Sequence, residues 1–298
     1  MTIRMKSLAF GVIGSFGLTA SGQLITDDFE VDSSANYTLV DESNAASGDG
    51  TPDSVSTFAF DYIAAGIPLA PNSSAGDTGG LRFAANETSA DAGPADHITA
   101  FHNTAVNSPF FTLTVDVYMD VESAGGSTEF AHIGVAGSTT DFLSIFTPVV
   151  LNGHTLAFTG DGGSASDYRH SDPGEIFNSG DPTYLDPANS TNGTGALYQA
   201  LFPTGSPAAG SPGNLWTTLE IVNNGSTLTY SLDGTPIIRT AFDGSGGDLI
   251  SLGYADVFSS VGPHAVIFDN LTVTDVPEPA TAALLGLGGL AMLRRRSA

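Results

Sequence analysis

The stretch FFTLTVDVYMDVE at residues 110–122 decides the fold, because its polarity alternates at every residue. From residue 111 onward, the apolar side chains are Phe111, Leu113, Val115, Val117, Met119 and Val121. The residues between them are Thr112, Thr114, Asp116, Tyr118, Asp120 and Glu122. A period of two residues is typical of a β-strand with one face in a core and one face toward water.

Strand patterns of this kind recur along the chain. LWTTLEIVNNGSTLTYSLDGTPIIRT at 215–240 predicts three strands joined by turns at Asn-Asn-Gly and Asp-Gly. HAVIFDNLTVTDV at 264–276 predicts a last strand, and weaker candidates are 36–41, 55–63, 80–85, 130–136, 142–150 and 154–159. No apolar pattern has the helical period of 3.6 residues. We therefore expect an all-β fold, an antiparallel two-sheet sandwich over residues 23–275.

One long segment, residues 160–214, departs from this pattern. It contains three Asp-Pro steps together with Pro203, Pro207 and Pro212, and it is rich in Gly and Ser. These residues initiate turns and break strands. We expect an irregular insertion with one helical turn at 196–202, either a plain surface loop or a loop that faces a ligand.

Charge and composition exclude several classes of function. The chain has no cysteine, so disulfides, thiolate metal sites and cysteine nucleophiles are excluded. Between residues 23 and 276 it has three arginines and no lysine, but all of its 32 acidic residues except Glu278. Such a body repels phosphate backbones, so we expect no nucleic-acid partner.

Both ends of the chain have features of exported proteins. Arg4 and Lys6 precede an apolar stretch and then small residues at 20 and 22, so residues 1–22 are predicted to be a signal peptide. The alternative is a buried N-terminal helix. At the other end, 14 apolar or small residues at 280–293 precede Arg294, Arg295 and Arg296. As a helix this segment is about 21 Å long, which is short for a hydrocarbon core of about 30 Å.

The arrangement of the last 23 residues resembles the PEP-CTERM sorting tail. The motif is Val276, Pro277, Glu278 and Pro279, followed by the apolar segment and the arginine cluster. The resemblance implies an exported protein, tethered to the membrane until a membrane transpeptidase of the exosortase type processes the tail, and destined for the envelope or an extracellular polysaccharide matrix. The alternative is an ordinary C-terminal anchor.

The body resembles a concanavalin A-like jelly roll of the laminin G-like kind. The residues that carry the likeness are DDFE at 27–30, the block FAFDYIAAGIPLAPNSSAGDTGGLRFAAN at 58–86, and the late strands from residue 215 onward. The same architecture occurs in lectins, in glucanases and in inert spacers, so the fold alone does not determine the function.

One carboxylate in the last strand points to a metal. Strict alternation places Asp269 on the apolar face of Ile267, Leu271 and Val273, where an unpaired charge is costly. The jelly-roll resemblance implies a structural calcium between the acidic start and the last strand, with Asp28, Glu30 and Asp269 as ligands and backbone or water oxygens completing the shell. The alternative is a β-bulge that turns Asp269 outward.

Sugar recognition requires exposed aromatic rings beside polar groups. Trp216, the only tryptophan, falls on the Thr218 and Glu220 face of its strand, and Tyr184 lies in the insertion with Tyr168 and Tyr198. Trp216 and Tyr184 are therefore candidate ligand-binding residues, and core packing is the alternative for Trp216.

No catalytic motif emerges from the sequence. Asp120 and Glu122 share a strand face about 7 Å apart, a spacing suited to an inverting glycosidase, but they also resemble an ordinary solvated face. We therefore expect a non-catalytic, exported envelope or matrix protein that binds carbohydrate. The alternatives are a glycan-active hydrolase and a purely structural surface spacer.

The tail hypothesis predicts a mature protein that lacks residues 280–298, because processing next to the proline motif would remove the apolar segment and the arginines. Intact-mass measurement of the protein recovered from the envelope fraction checks this. A mass that still includes residues 280–298 would contradict processing.

Overall fold

The computed structural model describes residues 22–44, 53–86, 96–121, 129–142, 152–161, 167–177, 180–186, 195–256 and 264–276. Within these ranges there are a 3-10 turn, Ser34–Asn36, and one short helix, α1 (Ala196–Leu201). The strands are β1 (Gln23–Asp27), β2 (Tyr37–Asp41), β3 (Ser54–Thr57), β4 (Leu81–Ala85), β5 (Asp96–His102), β6 (Phe110–Asp120), β7 (Glu129–Gly137), β8 (His154–Thr159), β9 (Tyr168–Asp172), β10 (Glu175–Phe177), β11 (Trp216–Asn224), β12 (Thr227–Leu232), β13 (Thr235–Ala241), β14 (Leu249–Asp256) and β15 (Ala265–Asp275). All of them belong to one compact unit, Gln23–Val276.

The strands form two antiparallel sheets. The first sheet has the order β13-β12-β11-β6-β15-β4-β3, and β1 also pairs with β15. The second sheet has the order β10-β9-β8-β7-β14-β5-β2. The prediction of an all-β, antiparallel two-sheet sandwich is confirmed.

The core lies between the two sheets and follows the predicted alternation. The apolar side of β6, including Leu113, Val115 and Val117, is fully buried. It meets inward residues of the second sheet such as Ile133 and Leu252 within one continuous apolar cluster. Burial of such side chains, at about 25 cal/mol per Å² of apolar surface, is the main term that holds the sheets together.

The other face of β6 departs from the prediction. We expected it to face water, but Asp116 is 0% exposed and Tyr118 is 7% exposed. The cause is the segment 58–80, named here the covering loop, which connects β3 to β4 and packs on the outer face of the first sheet. Its residues Tyr62, Ile67 and Ala70 form a second apolar cluster with Tyr118 and Ile267. The predicted strand 55–63 is correspondingly wrong after Thr57, where the covering loop begins.

The insertion is more ordered than predicted. The helical turn is confirmed as α1, but β9 and β10 also lie here and extend one edge of the second sheet. Residues 162–166, 178–179 and 187–194 lie outside the described ranges, as do most of the candidate strand 142–150, the predicted tail helix at 280–293 and the predicted signal peptide before Gly22.

Candidate functional site

Two carboxylates lie side by side on the outer face of the first sheet. Asp116 on β6 is directly opposite Asp269 on β15, and the ladder between these strands is irregular immediately after this pair. Asn270 takes a left-handed conformation there, with φ of 53°. The bulge therefore separates Asp269, on the outer face, from Leu271 and Val273, which enter the core. The bulge alternative for Asp269 is confirmed, and strict alternation fails at Asn270, the residue after it.

Asp116 is surrounded by hydrogen-bond donors. Its Oδ1 accepts from Thr218 Oγ1 at 2.6 Å and from Asn72 Nδ2 at 2.8 Å. Its Oδ2 accepts from the Asn72 backbone N at 3.0 Å and from Asn270 Nδ2 at 3.1 Å. These four donors occupy the acceptor positions of a carboxylate, which is how a buried acid is accommodated without a cation. Both the backbone and the side chain of Asn72 are thereby fixed over the sheet.

Asp269 holds a second point of the covering loop. Its Oδ2 accepts from Ser73 Oγ at 2.7 Å and from the Tyr62 hydroxyl at 3.0 Å, and its Oδ1 accepts from the Asn270 backbone N at 2.7 Å. Burial raises the pKa of Asp269 to about 6, an effect that these hydrogen bonds oppose and that the nearby Asp116 reinforces. The two carboxylates therefore differ in their surroundings, since Asp116 accepts hydrogen bonds from more donors than Asp269 does.

The far end of the covering loop is held by Glu30. Its Oε1 accepts from the backbone N of Thr78 at 2.9 Å and of Gly79 at 2.8 Å. A Cβ at residue 79 would lie 2.4 Å from the Phe29 carbonyl oxygen, so only glycine permits this close approach. Glu30, predicted as a metal ligand, is engaged here as an acceptor for backbone amides.

Trp216 lies at the near edge of the covering loop. It faces outward with Thr218, as predicted, and its Nε1 donates to the Pro68 carbonyl oxygen at 2.6 Å. Its ring packs edge-on against Tyr62, with centroids 5.3 Å apart, and is tilted against Tyr118 at 5.4 Å. The half-buried indole therefore packs under the loop on the outer face of the first sheet and not in the core between the sheets, which was the alternative.

Beside the carboxylate pair is an open groove of about 370 Å³. Its floor includes the hydroxyl-bearing side chains of Thr114, Thr218 and Thr272, which belong to three neighbouring strands. Its remaining lining residues are Thr26, Asp27, Asp28, Asn72 and Asn270. Every lining residue is therefore Thr, Asn or Asp.

The two acids in the groove differ in exposure. Asp27 is buried and accepts from the Phe29 backbone N at 2.9 Å and from the Tyr37 hydroxyl at 3.0 Å. Burial and the Asp27 carboxylate raise the pKa of Tyr37, so its hydroxyl keeps its proton and remains a donor. Asp28 is exposed to solvent and is available at the groove wall.

The structure separates most of the predicted site residues. Asp28 lines the groove, Glu30 binds loop amides, and Asp269 binds Tyr62 and Ser73. In the described part of the chain, which includes all three, no group of three or more His, Asp or Glu side chains is arranged to hold a metal ion. The calcium site stays a prediction.

Tyr184 is placed in the core and not at a surface. It is 3% exposed, and its hydroxyl donates to the carbonyl oxygens of Tyr168 and Phe177. Tyr168 and Tyr198, the other insertion tyrosines, are also buried, and their rings stack with centroids 4.1 Å apart. The insertion therefore uses these rings for packing, which corrects the assignment of Tyr184 as a ligand contact.

Of the two carboxylates considered for catalysis, the structure describes one. Asp120 is the last residue of β6 and is partly exposed, whereas Glu122 lies outside the described ranges. The close pair that the sequence did not predict, Asp116 with Asp269, is covered by the loop and is at most 1% exposed.

The body ends where the tail motif begins. The Val276 backbone N donates to the Phe110 carbonyl oxygen at 2.9 Å, which fixes the last described residue to the start of β6. Directly after it come Pro277, Glu278 and Pro279, and residues 275–297 match the family model described as PEP-CTERM protein-sorting motif. The chain carries a PEP-CTERM sorting motif. The motif indicates an exported protein sorted to the cell envelope through the exosortase system.

The PEP-CTERM match covers only the tail, residues 275–297. A search of curated proteins finds no match. Among helices in the ranges that the structure describes, none has the length and apolar character needed to cross a bilayer.

Several solved structures are similar to the chain at low sequence identity. The carbohydrate recognition domain of Emp46p in its potassium-bound form has a TM-score of 0.44 and 9% identity, over 84% of this chain and 95% of that one. A Bacillus subtilis protein of unknown function with a galectin-like fold has a TM-score of 0.40 and 10% identity, over 86% and 99%. A structure reported with endo-acting O-glycanases of the human gut microbiota has a TM-score of 0.44 and 11% identity, over 86% and 100%.

The raised pKa of Asp269 predicts an unusual pH dependence of stability. Because the folded state binds this proton more tightly than the unfolded state, the contribution of Asp269 to stability falls as the pH rises from about 4 to about 6. The free energy of unfolding of the wild type, measured relative to Asp269→Asn by urea titration, should therefore decrease between pH 4 and pH 7. We expect a decrease of about 1–2 kcal/mol, a value reduced to allow for solvent screening.

Asp32→Asn is the control for this measurement. Asp32 is exposed, and hydrogen bonds from the side chain and backbone of Ser34 lower its pKa, so its contribution has the opposite sign and is lost as the pH falls. A wild-type minus Asp269→Asn difference that stays constant with pH would contradict the account of Asp269.

Proposed function

We propose that the protein is a non-catalytic, glycan-binding protein of the cell surface, and that the groove beside the covering loop is its binding site. The observation that carries the proposal is the composition of the groove, which is lined by Thr, Asn and Asp alone. Hydroxyl, amide and carboxylate groups together offer both donors and acceptors. A saccharide, which presents alternating hydroxyl groups, can be held by such a set through direct and water-mediated hydrogen bonds.

The support for binding includes the rigidity of the groove. Asn72 is held by two hydrogen bonds to Asp116, and Thr114 Oγ1 lies 2.6 Å from Thr272 Oγ1 across the strand pair. Polar groups that are already in place lose little conformational entropy when a ligand binds. A sheet surface also positions side chains more accurately than a mobile loop does.

Charge narrows the class of glycan. The groove contains Asp27 and Asp28, and the body between residues 23 and 276 carries only three basic residues. Uronic acids and other anionic sugars would be repelled by this surface. Neutral polysaccharides and those with amino sugars are therefore the ligands that the groove favours.

The route to the surface follows from the two ends of the chain. The predicted signal peptide at 1–22 would direct export, and the PEP-CTERM tail would engage an exosortase-type transpeptidase as its partner. In this proposal the body is delivered to the envelope or to an extracellular polysaccharide matrix, where its groove meets glycan chains at high local concentration.

The glycan proposal is tested by a paired replacement in the groove. Thr114→Val with Thr272→Val removes two hydroxyls without changing volume, and we expect the affinity for neutral glycans on an array to fall at least about tenfold, the effect of losing one or two hydrogen bonds. Thr112→Val is the control, because Thr112 is on the same strand and face but outside the groove, and it should bind like the wild type.

Other results on the array would favour other functions. Uniform absence of binding by the wild type would contradict the proposal and favour a structural spacer. If the wild type releases new reducing ends from a polysaccharide, and Asp120→Ala and Glu122→Ala do not, the protein is instead a hydrolase.

A further inference from the structure

A second cavity lies between the two sheets at one end of the sandwich. Its volume is about 240 Å³, and it is separate from the groove on the outer face. We name it the end crevice, and its lining includes Phe111, Asn223, Val135, Ile250, Val106 and Asp248. The segment around Val106 closes one side, where the Val106 backbone N donates to the Asp248 carbonyl oxygen at 2.7 Å.

The walls of the crevice are largely apolar. Phe111 comes from the first sheet, whereas Val135 and Ile250 come from the second. These three side chains are nearly or completely buried and belong to the main core cluster. The crevice is therefore an opening into the edge of the core and favours an apolar occupant.

One buried polar side chain interrupts this apolar lining. Asn223 is 1% exposed, and alternation along β11 turns it inward with Leu219 and Ile221. Its Oδ1 accepts from the Gly225 backbone N at 2.8 Å, and this contact fixes which end of the amide is the oxygen. In the described part of the chain, Asn223 Nδ2 has no hydrogen-bond partner. A buried donor without a partner is destabilising, so an acceptor beside it would be bound favourably.

We propose that the end crevice binds a neutral, mainly apolar molecule or substituent whose carbonyl oxygen accepts a hydrogen bond from Asn223 Nδ2. The carboxylate of Asp248 in the lining and the strongly acidic body disfavour an anion. The apolar walls disfavour a charge of either sign, because a charged group would lose its water there. The volume of the crevice limits the size of the bound molecule. A cavity of about 150 Å³ holds benzene, so the larger end crevice has room for a substituted ring or a short acyl group.

A matched pair of probes tests the proposal on the full-length protein. Acetophenone has an apolar ring and a carbonyl oxygen, whereas α-methylstyrene has nearly the same shape, with a CH2 group in place of the acceptor oxygen. Titration followed by protein NMR gives a dissociation constant for each probe. We expect both to bind and acetophenone to bind about three- to tenfold tighter, the ratio that one net hydrogen bond gives.

Asn223→Leu removes the donor and keeps a similar volume, so the preference for acetophenone should disappear. Asn36→Leu is the matched control, because Asn36 is exposed and outside the crevice, and it should keep the preference. Val106→Phe fills the crevice and should lower the affinity of both probes about tenfold or more. This variant provides a readout even if Asn223→Leu does not fold.

Three results would overturn the proposal. The first is absence of binding of both probes to the wild type, and the second is equal affinity for both, as expected if a water molecule already satisfies Asn223. The third is an unchanged affinity of both probes for Val106→Phe, which would place their binding elsewhere.

Discussion

The hydrogen bonds of two adjacent carboxylates, Asp116 and Asp269, are the constraint on which the functional face depends. Like charges opposite each other on neighbouring strands repel, and burial adds to the penalty. The covering loop offsets this penalty with donors from Tyr62, Asn72 and Ser73. The loop supplies hydrogen-bond donors to both carboxylates, and both carboxylates hold the loop on the sheet. The sheet and the loop therefore form one hydrogen-bonded unit.

The bulge at Asn270 makes this unit possible. It lies where β15 changes its neighbour, since residues 266–268 pair with β4 and residues 271–274 pair with β1. The left-handed Asn270 directs Asp269 to the outer face while Leu271 enters the core, and its own amide donates to Asp116. The same irregularity leaves Thr272 facing outward, where it forms part of the groove floor. One backbone irregularity therefore accounts for both the buried pair and the open groove beside it.

The fold could be predicted because a half-buried strand has apolar and polar residues in alternation, one set for each face. The stretch 110–122 and the turns at Asn-Asn-Gly and Asp-Gly were sufficient for the sheets around β6 and β11. β5 escaped prediction because Asp96, His97, Thr99 and His102 are buried, so polarity in DHITAFH does not indicate which residues face water. Tyr184 was misassigned for a related reason, since an insertion rich in turn residues gave no sign that its aromatic rings enter the core.

The site was less predictable than the fold because its contacts are distant in sequence. Asp116 and Asn72 are 44 residues apart, and Tyr62 and Asp269 are 207 apart. The one available signal was Asp269 itself, an acid among apolar neighbours, which correctly indicated a special environment. The jelly-roll resemblance implied calcium there, with a bulge as the alternative, and the described partners of Asp269 are a tyrosine, a serine and a backbone amide.

Amide hydrogen exchange of the covering loop in Asp116→Asn tests this central claim most directly. In the wild type, Asn72 N and Asn270 Nδ2 both donate to the Asp116 carboxylate, and the replacement removes the negative charge that accepts these hydrogen bonds. The account predicts that loop amides, including Asn72, exchange at least about tenfold faster than in the wild type, while core strands keep their protection. Glu220→Gln, on the same outer face but outside the cluster, should leave the loop unchanged. Wild-type protection of the loop in Asp116→Asn would contradict the claim that the carboxylate pair holds the covering loop on the sheet.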